Sequence, residues 1–268
     1  MSFTIEDMIL TAEERYEMKF LAGKNGWANS ISWVHLLEDT TIIQNFWGKE
    51  LAVTTGLGFP QKEDWMNLAR LLNKYHASGL IINVGQYIYE VPEELKAYCD
   101  ENDLPLLTVP WEVHLSDMIK DFSIHVFLQD NTDEQIASAL IAAIETPENQ
   151  KTYRKELLQH FDVDGSFQVL LLTREGLDSM DTVERRKLSY RIQVYLEDIT
   201  HNASFFYYNS DFVLVANALS EEYLCQLVER ALKRGKRRMP GLELCVGIGS
   251  KCMDISQLSV SYQRAKAA

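Results

Sequence analysis

Gly79-Leu80-Ile81-Ile82-Asn83-Val84-Gly85 is a short, almost unbroken apolar run with a glycine at each end. A run of this length, closed by turn residues, reads as a strand buried on both faces, as in a parallel sheet. Its neighbours agree with that reading. Upstream, residues 62–76 set Trp65, Leu68, Leu72 and Tyr75 at helical spacing. Downstream, Pro92 reads as the first position of a helix whose Glu93 and Glu94 face the positive dipole end and whose Leu95, Tyr98 and Cys99 point inward. Further strands are expected at 31–37, 50–54 and 104–109, and Thr4 with Asp7 opens a short helix. Strands alternating with helices imply an α/β fold, a mostly parallel sheet with helices on both faces.

Residues 116–129 read as a helix, and Thr132-Asp133-Glu134-Gln135 as the capping box of another that carries Ile136, Leu140, Ala143 and Ile144. Pro147 and Asn149 interrupt it, and Tyr153, Leu157, Leu158 and Phe161 mark one more. No Gly/Ser linker intervenes, so a rigid helical connector is expected. The order then changes. A strand at 167–173 precedes a helix at 181–199 with Leu188, Ile192, Tyr195 and Ile199 on one stripe. Strands at 204–208 and 212–216 form a hairpin around Asn209-Ser210-Asp211. A helix at 220–235, with Leu224, Leu227, Val228 and Ala231 inward and Gly235 as its cap, leads to a strand carrying Leu242, Leu244, Val246 and Ile248. This is the ferredoxin-like α+β order, an antiparallel sheet with helices on one face. The expected division is an α/β domain at 1–130, a connector at 131–163 and an α+β domain at 164–268.

The final segment reads as a helix begun by Asp254 and Gln257, with Ile255, Leu258, Tyr262 and Ala265 on one face. No glycine, proline or polar tail closes it, which is expected of a chain cut short of a further domain.

Twenty-six basic against 39 acidic residues give a formal charge of −13, which repels phosphate backbones and argues against nucleic-acid binding by this chain alone. The dense basic run at 233–238 is read as cations at a helix C-terminus. Cys99, Cys225, Cys245 and Cys252 form no C-x-x-C pair, so free thiols in a reducing cytoplasm are expected, without structural zinc. There is no basic n-region followed by an apolar stretch, and no apolar run nears the roughly 20 residues of a membrane span.

The loops after the first four strands would gather His35, Glu38, Thr54, Thr55, Gly56, Asn83, Gly85, Gln86, Trp111 and Glu112 at one sheet edge, where open α/β sheets bind ligands. Hydrogen-bonding groups beside aromatic surface suit a small polar heterocycle or a carboxylate. No nucleophile–base pair is evident, so binding is favoured over turnover. Neither Thr54-Thr55-Gly56-Leu57-Gly58 nor Gly79 with Gly85 completes a phosphate-binding motif, and turn geometry accounts for each alone. The six histidines show no metal-ligand spacing. No catalytic residue, metal or cofactor is assigned.

Trp33-Val34-His35-Leu36-Leu37-Glu38, followed by Gly48-Lys49-Glu50-Leu51-Ala52-Val53-Thr54-Thr55-Gly56, resembles the N-terminal domain of the purine-catabolism-regulator (PucR-type) family. Gly79-Leu80-Ile81-Ile82, Val91-Pro92-Glu93-Glu94 and Leu104-Pro105-Leu106-Leu107 continue that pattern in order. The second half resembles the degenerate GGDEF-like domain of these and of the carbohydrate-diacid regulators, through Val246-Gly247-Ile248-Gly249-Ser250 and Ser261-Tyr262-Gln263-Arg264-Ala265-Lys266-Ala267-Ala268. Where a working diguanylate cyclase carries glycines and an acid pair at its hairpin, this chain has Tyr208-Asn209-Ser210-Asp211-Phe212.

The resemblance implies the sensory and dimerisation part of a cytoplasmic transcription regulator. It would bind a purine-catabolic or nitrogen metabolite, form a homodimer, and reach DNA only through a helix-turn-helix absent from this chain, with no membrane partner. The rival readings are a metal-dependent nucleotide cyclase, another small-molecule enzyme, and a pure protein-interaction module.

Overall fold

The computed structural model describes residues 3–196, 202–238 and 243–268, with the backbone alone for Tyr195 and residues 234–238. The chain divides into two compact units, Ser2–Gln129 and Asp130–Ala268.

The first unit contains α1 (Ile5–Ala12), β1 (Lys19–Ala22), β2 (Trp33–Leu36), β3 (Glu50–Thr54), α2 (Lys62–Lys74), β4 (Gly79–Val84), α3 (Glu93–Glu101), β5 (Leu106–Pro110) and the start of α4 (Leu115–Glu145). Its sheet runs β1-β5-β4-β3-β2. Strands β2 to β5 are mutually parallel and β1 is antiparallel to β5.

Both sheet faces are buried because side chains alternate along each strand. Leu51, Val53, Ile81, Leu107 and Val109 meet Ile5 and Met8 of α1 and Met118 and Phe122 of α4. Ala52, Leu80, Ile82 and Leu106 meet Leu68 and Leu72 of α2 and Leu95 and Cys99 of α3. Strand β1 was not expected: its four residues begin with an exposed lysine and show no full alternation, so pairing with β5 decides it. Pro92 is the N-cap of α3, one position earlier than expected.

Helix α4 corrects a second expectation. The sequence reads as two helices with a start at Thr132, yet residues 115–145 form one helix. No proline or glycine interrupts that stretch, so propagation adds one backbone hydrogen bond per residue and outweighs a new cap. Met118, Phe122 and Val126 serve the first unit's core, and Ile136, Leu140, Ala143 and Ile144 serve the second's.

The second unit adds α5 (Gln150–Leu157), β6 (Phe167–Thr173), α6 (Thr182–Tyr195), β7 (Ala203–Tyr208), β8 (Asp211–Asn217), α7 (Glu221–Arg238), β9 (Cys245–Ile248) and α8 (Leu258–Ala267). Its antiparallel sheet has the order β7-β8-β6-β9, as the ferredoxin-like reading requires. Helices cover both of its faces, however, not one. Leu170, Leu172, Phe212 and Leu214 pack against α6 and α7. Phe167, Val169, Leu171, Val213 and Val215 pack against the C-terminal part of α4, α5 and α8. Strand β6 is apolar at successive positions, and that pattern demands two covered faces.

Leu158, one of the residues that mark α5 in the sequence, is its C-cap and is 63% exposed. Gly235 lies within α7 and does not cap it. The Tyr195 side chain, Ile199, Leu242 and the side chains of the basic run after Lys233 fall outside the described residues.

Asn209 and Ser210 form a two-residue hairpin turn with φ of 49° and 71°, and Asp211 already pairs with Tyr208 as strand. Asp254 accepts a hydrogen bond from the Ser256 amide at 2.8 Å and starts a 3-10 turn ahead of α8. The expected reciprocal contact is displaced by one residue, with the Gln257 side chain accepting from the Met253 amide at 3.4 Å. Ile255, Leu258, Tyr262 and Ala265 are buried as expected.

Candidate ligand site at the strand ends

Strands β2 to β5 are parallel, so their C-terminal ends share one edge and the loops after them lie side by side. The anticipated residues gather there into separate groups.

Glu38 organises the first. Its carboxylate accepts hydrogen bonds from Thr54 Oγ1 at 3.1 Å, the Thr55 amide at 2.8 Å, Thr55 Oγ1 at 2.7 Å and the Gly58 amide at 3.3 Å. The Gly56 amide donates to Thr54 Oγ1 at 3.1 Å, and Gly56 sits at φ 86°. These contacts fold the β3–α2 loop onto the end of β2. Glu38, Thr54, Thr55 and Gly56 are therefore engaged with one another, and Thr54 is wholly buried.

The second group is aromatic. Gly85 follows β4 at φ 143°, and a Cβ placed on it would come within 2.6 Å of the Trp111 Cβ. Glycine thus lets Trp111 close over the end of β4. Tyr87 meets Trp111 edge-to-face, with centroids 5.6 Å apart and planes at 80°. Trp111 is 39% and Tyr87 49% exposed, and Gln86 and Glu112 beside them are exposed. Ile88 is buried between the two exposed tyrosines Tyr87 and Tyr89, and its Cγ2 lies where a Cβ on Gly56 would be 3.2 Å away. The β4 loop is thereby seated against the β3 loop.

Two expected residues are spent on structure. Asn83 is buried and donates to the Pro110 carbonyl at 2.6 Å, joining β4 to the end of β5. His35 stacks on Phe46 at 5.1 Å, and burial lowers its pKa, favouring the neutral ring.

Tyr87 and Tyr89 were not singled out from the sequence. Their signal was available: Tyr87-Ile88-Tyr89 after Gly85 alternates an apolar residue with two aromatics, the pattern of a loop that anchors one side chain and presents two. The arrangement presents partly exposed aromatic surface beside the exposed Glu112.

Residues 8–126 match the profile of the purine catabolism regulatory protein-like family, and residues 130–268 match the GGDEF-like domain. Over 123 residues the chain is 24% identical to the purine catabolism regulatory protein of Bacillus subtilis (strain 168). That stretch is 46% of this chain and 23% of that protein, so this chain matches under a quarter of its relative's length. No solved structure matches the chain.

Proposed function

The chain belongs to the purine catabolism regulatory protein-like regulators and carries a GGDEF-like domain, and from that premise we propose that it is the sensory and dimerisation part of a transcription regulator. The first unit binds a small metabolite at its strand-end edge. Helix α4 and the second unit form a homodimer and pass the signal to a helix-turn-helix outside this sequence, in the cytoplasm. The observation that supports the reading is the exposed Tyr87–Trp111 pair at the C-terminal strand edge of a parallel sheet, where open α/β sheets generally bind ligands, in a domain of this family. Ligand must favour one arrangement of the protein over another, since equal affinity shifts nothing.

A non-catalytic second unit is favoured by the hairpin turn, where Asn209 and Ser210 stand in place of glycines and Asp211 is the only acid. Incubation with GTP and magnesium checks this directly, and any cyclic dinucleotide formed would overturn it.

Sensing is tested by thermal unfolding in the presence of purines, ureides and amino acids. A ligand at 100 times its Kd stabilises a folded protein by about 2.7 kcal/mol, a shift of several degrees. A folded protein that no compound stabilises would remove the sensing role. Light scattering during gel filtration tests the dimer separately.

A further inference from the structure

We infer that the strand-end site of the first unit takes a small organic cation, an ammonium or guanidinium compound, and rejects anions; this rests on the sensing role proposed for that edge.

The first argument is the built aromatic corner. Tyr87 and Trp111 stand almost perpendicular, Tyr89 (81% exposed) lies on the loop of Tyr87, and Leu57 (57% exposed) lies on the β3–α2 loop. Gly85 is the residue that lets Trp111 take this place. A partly exposed edge-to-face pair attracts a cation to the negative quadrupole of its rings, most strongly at tryptophan.

The second argument is charge. The four loops at this edge, residues 37–40, 55–61, 85–92 and 111–114, carry Glu38, Asp39, Glu90 and Glu112 and no lysine or arginine. Glu90 adjoins Tyr89, and Glu112 adjoins Trp111. Glu38 already accepts hydrogen bonds from the neighbouring β3–α2 loop and Asp39 from its own loop, which leaves the carboxylates beside the aromatics to face a ligand.

The third argument removes the usual anion seat. Helix N-termini at such an edge ordinarily attract anions. Here α2 opens with Glu63 and Asp64, α3 with Glu93 and Glu94, and α4 with Asp117, so each positive end is already countered. The neighbouring lysine is also matched, Lys62 pairing with Glu94 at 3.4 Å, and the His114 ring stands 2.9 Å from the Asp117 carboxylate. An anion would meet an excess of negative charge.

Calorimetric titration of the chain with choline and agmatine, and with glutarate and urate as anions, tests the inference. The cations should bind and the anions should not. Trp111→Ala and Tyr87→Ala should each weaken the cations about tenfold, with Trp111→Phe recovering part of the loss. Both side chains are exposed enough for the variants to fold, which circular dichroism checks. Binding of anions alone, or cation binding unchanged in both alanine variants, overturns the cation assignment while the sensing role stands. If no compound of either charge binds here or stabilises the fold, both fail.

Discussion

Glu38 binds Thr55 twice, taking the amide at 2.8 Å and the hydroxyl at 2.7 Å on the same carboxylate oxygen. The carboxylate thus fixes the loop after β3 from the end of the adjacent strand. Removing it leaves several donors to find water. Glu38→Ala is expected to destabilise the first unit by roughly 1.5–3 kcal/mol, the range for hydrogen bonds to a charged group. Urea unfolding measures it, and a loss below about 0.5 kcal/mol would mean that the clasp is not needed.

Gly85→Ala should be worse than its size suggests. The new Cβ would crowd Trp111 and the backbone sits at φ 143°, a region that costs a side chain roughly 1–3 kcal/mol. Trp111 should move outward, so its quenching by acrylamide should rise in a variant where the other four tryptophans are phenylalanine. Unchanged quenching together with unchanged stability would contradict the close approach described above.

The hairpin predicts a gain. Ser210 adopts φ 71° without being glycine, a conformation that costs an ordinary residue about 1 kcal/mol. Ser210→Gly should therefore raise the stability of the second unit by up to about 1 kcal/mol, read as a higher urea midpoint at constant m.

Alkaline pH should weaken both units. The Tyr16 and Tyr208 hydroxyls are each pushed up to about 12 from 10, first by burial and then by the carboxylates that accept their hydrogen bonds, Asp121 and Glu145. Between pH 10 and 12 the folded state keeps protons that the unfolded state has lost, so stability falls as pH rises through that window. Below pH 10 the contribution is fully present. Tyr16→Phe and Tyr208→Phe should each flatten the fall, measured as denaturant midpoint against pH. A slope identical to that of the parent protein in both variants would rule these tyrosines out.

The four thiols should separate by burial. Burial pushes Cys99 up to about 12 and raises Cys252, whereas Cys245 is exposed and Cys225 half-buried. Ellman's reagent should modify Cys245 fastest and Cys225 next, and reach Cys99 and Cys252 only on unfolding. Mass mapping of the labelled native protein gives the order.

The elements that could be read from the chain are those whose signals are local. Gly79 to Val84 announces a buried strand through its own composition, and Phe167 to Thr173 is a strand over the span expected. Thr4 caps α1 by accepting from the Asp7 amide within one helical turn. Errors arose where a local signal was true but outweighed. Thr132 begins a capping-box pattern, but continuing α4 through it keeps the backbone bonded and two cores supplied. Strand β1 exists only because β5 offers it an edge.

The candidate site divides in the same way. The sequence by itself determined that polar and aromatic residues end the parallel strands, because strand positions and strand ends follow from periodicity and glycine placement. Only the tertiary structure decided what each one does. Glu38 and Asn83 look identical in the sequence to ligand-binding groups, yet the first is spent on Thr54, Thr55 and Gly58 and the second on Pro110. Tyr87 and Trp111, separated by a helix and a strand in the chain, become neighbours only when β4 and β5 pair. Hydrogen bonds and ring contacts act over a few ångströms of space, and separation along the sequence does not reveal which groups will stand that close.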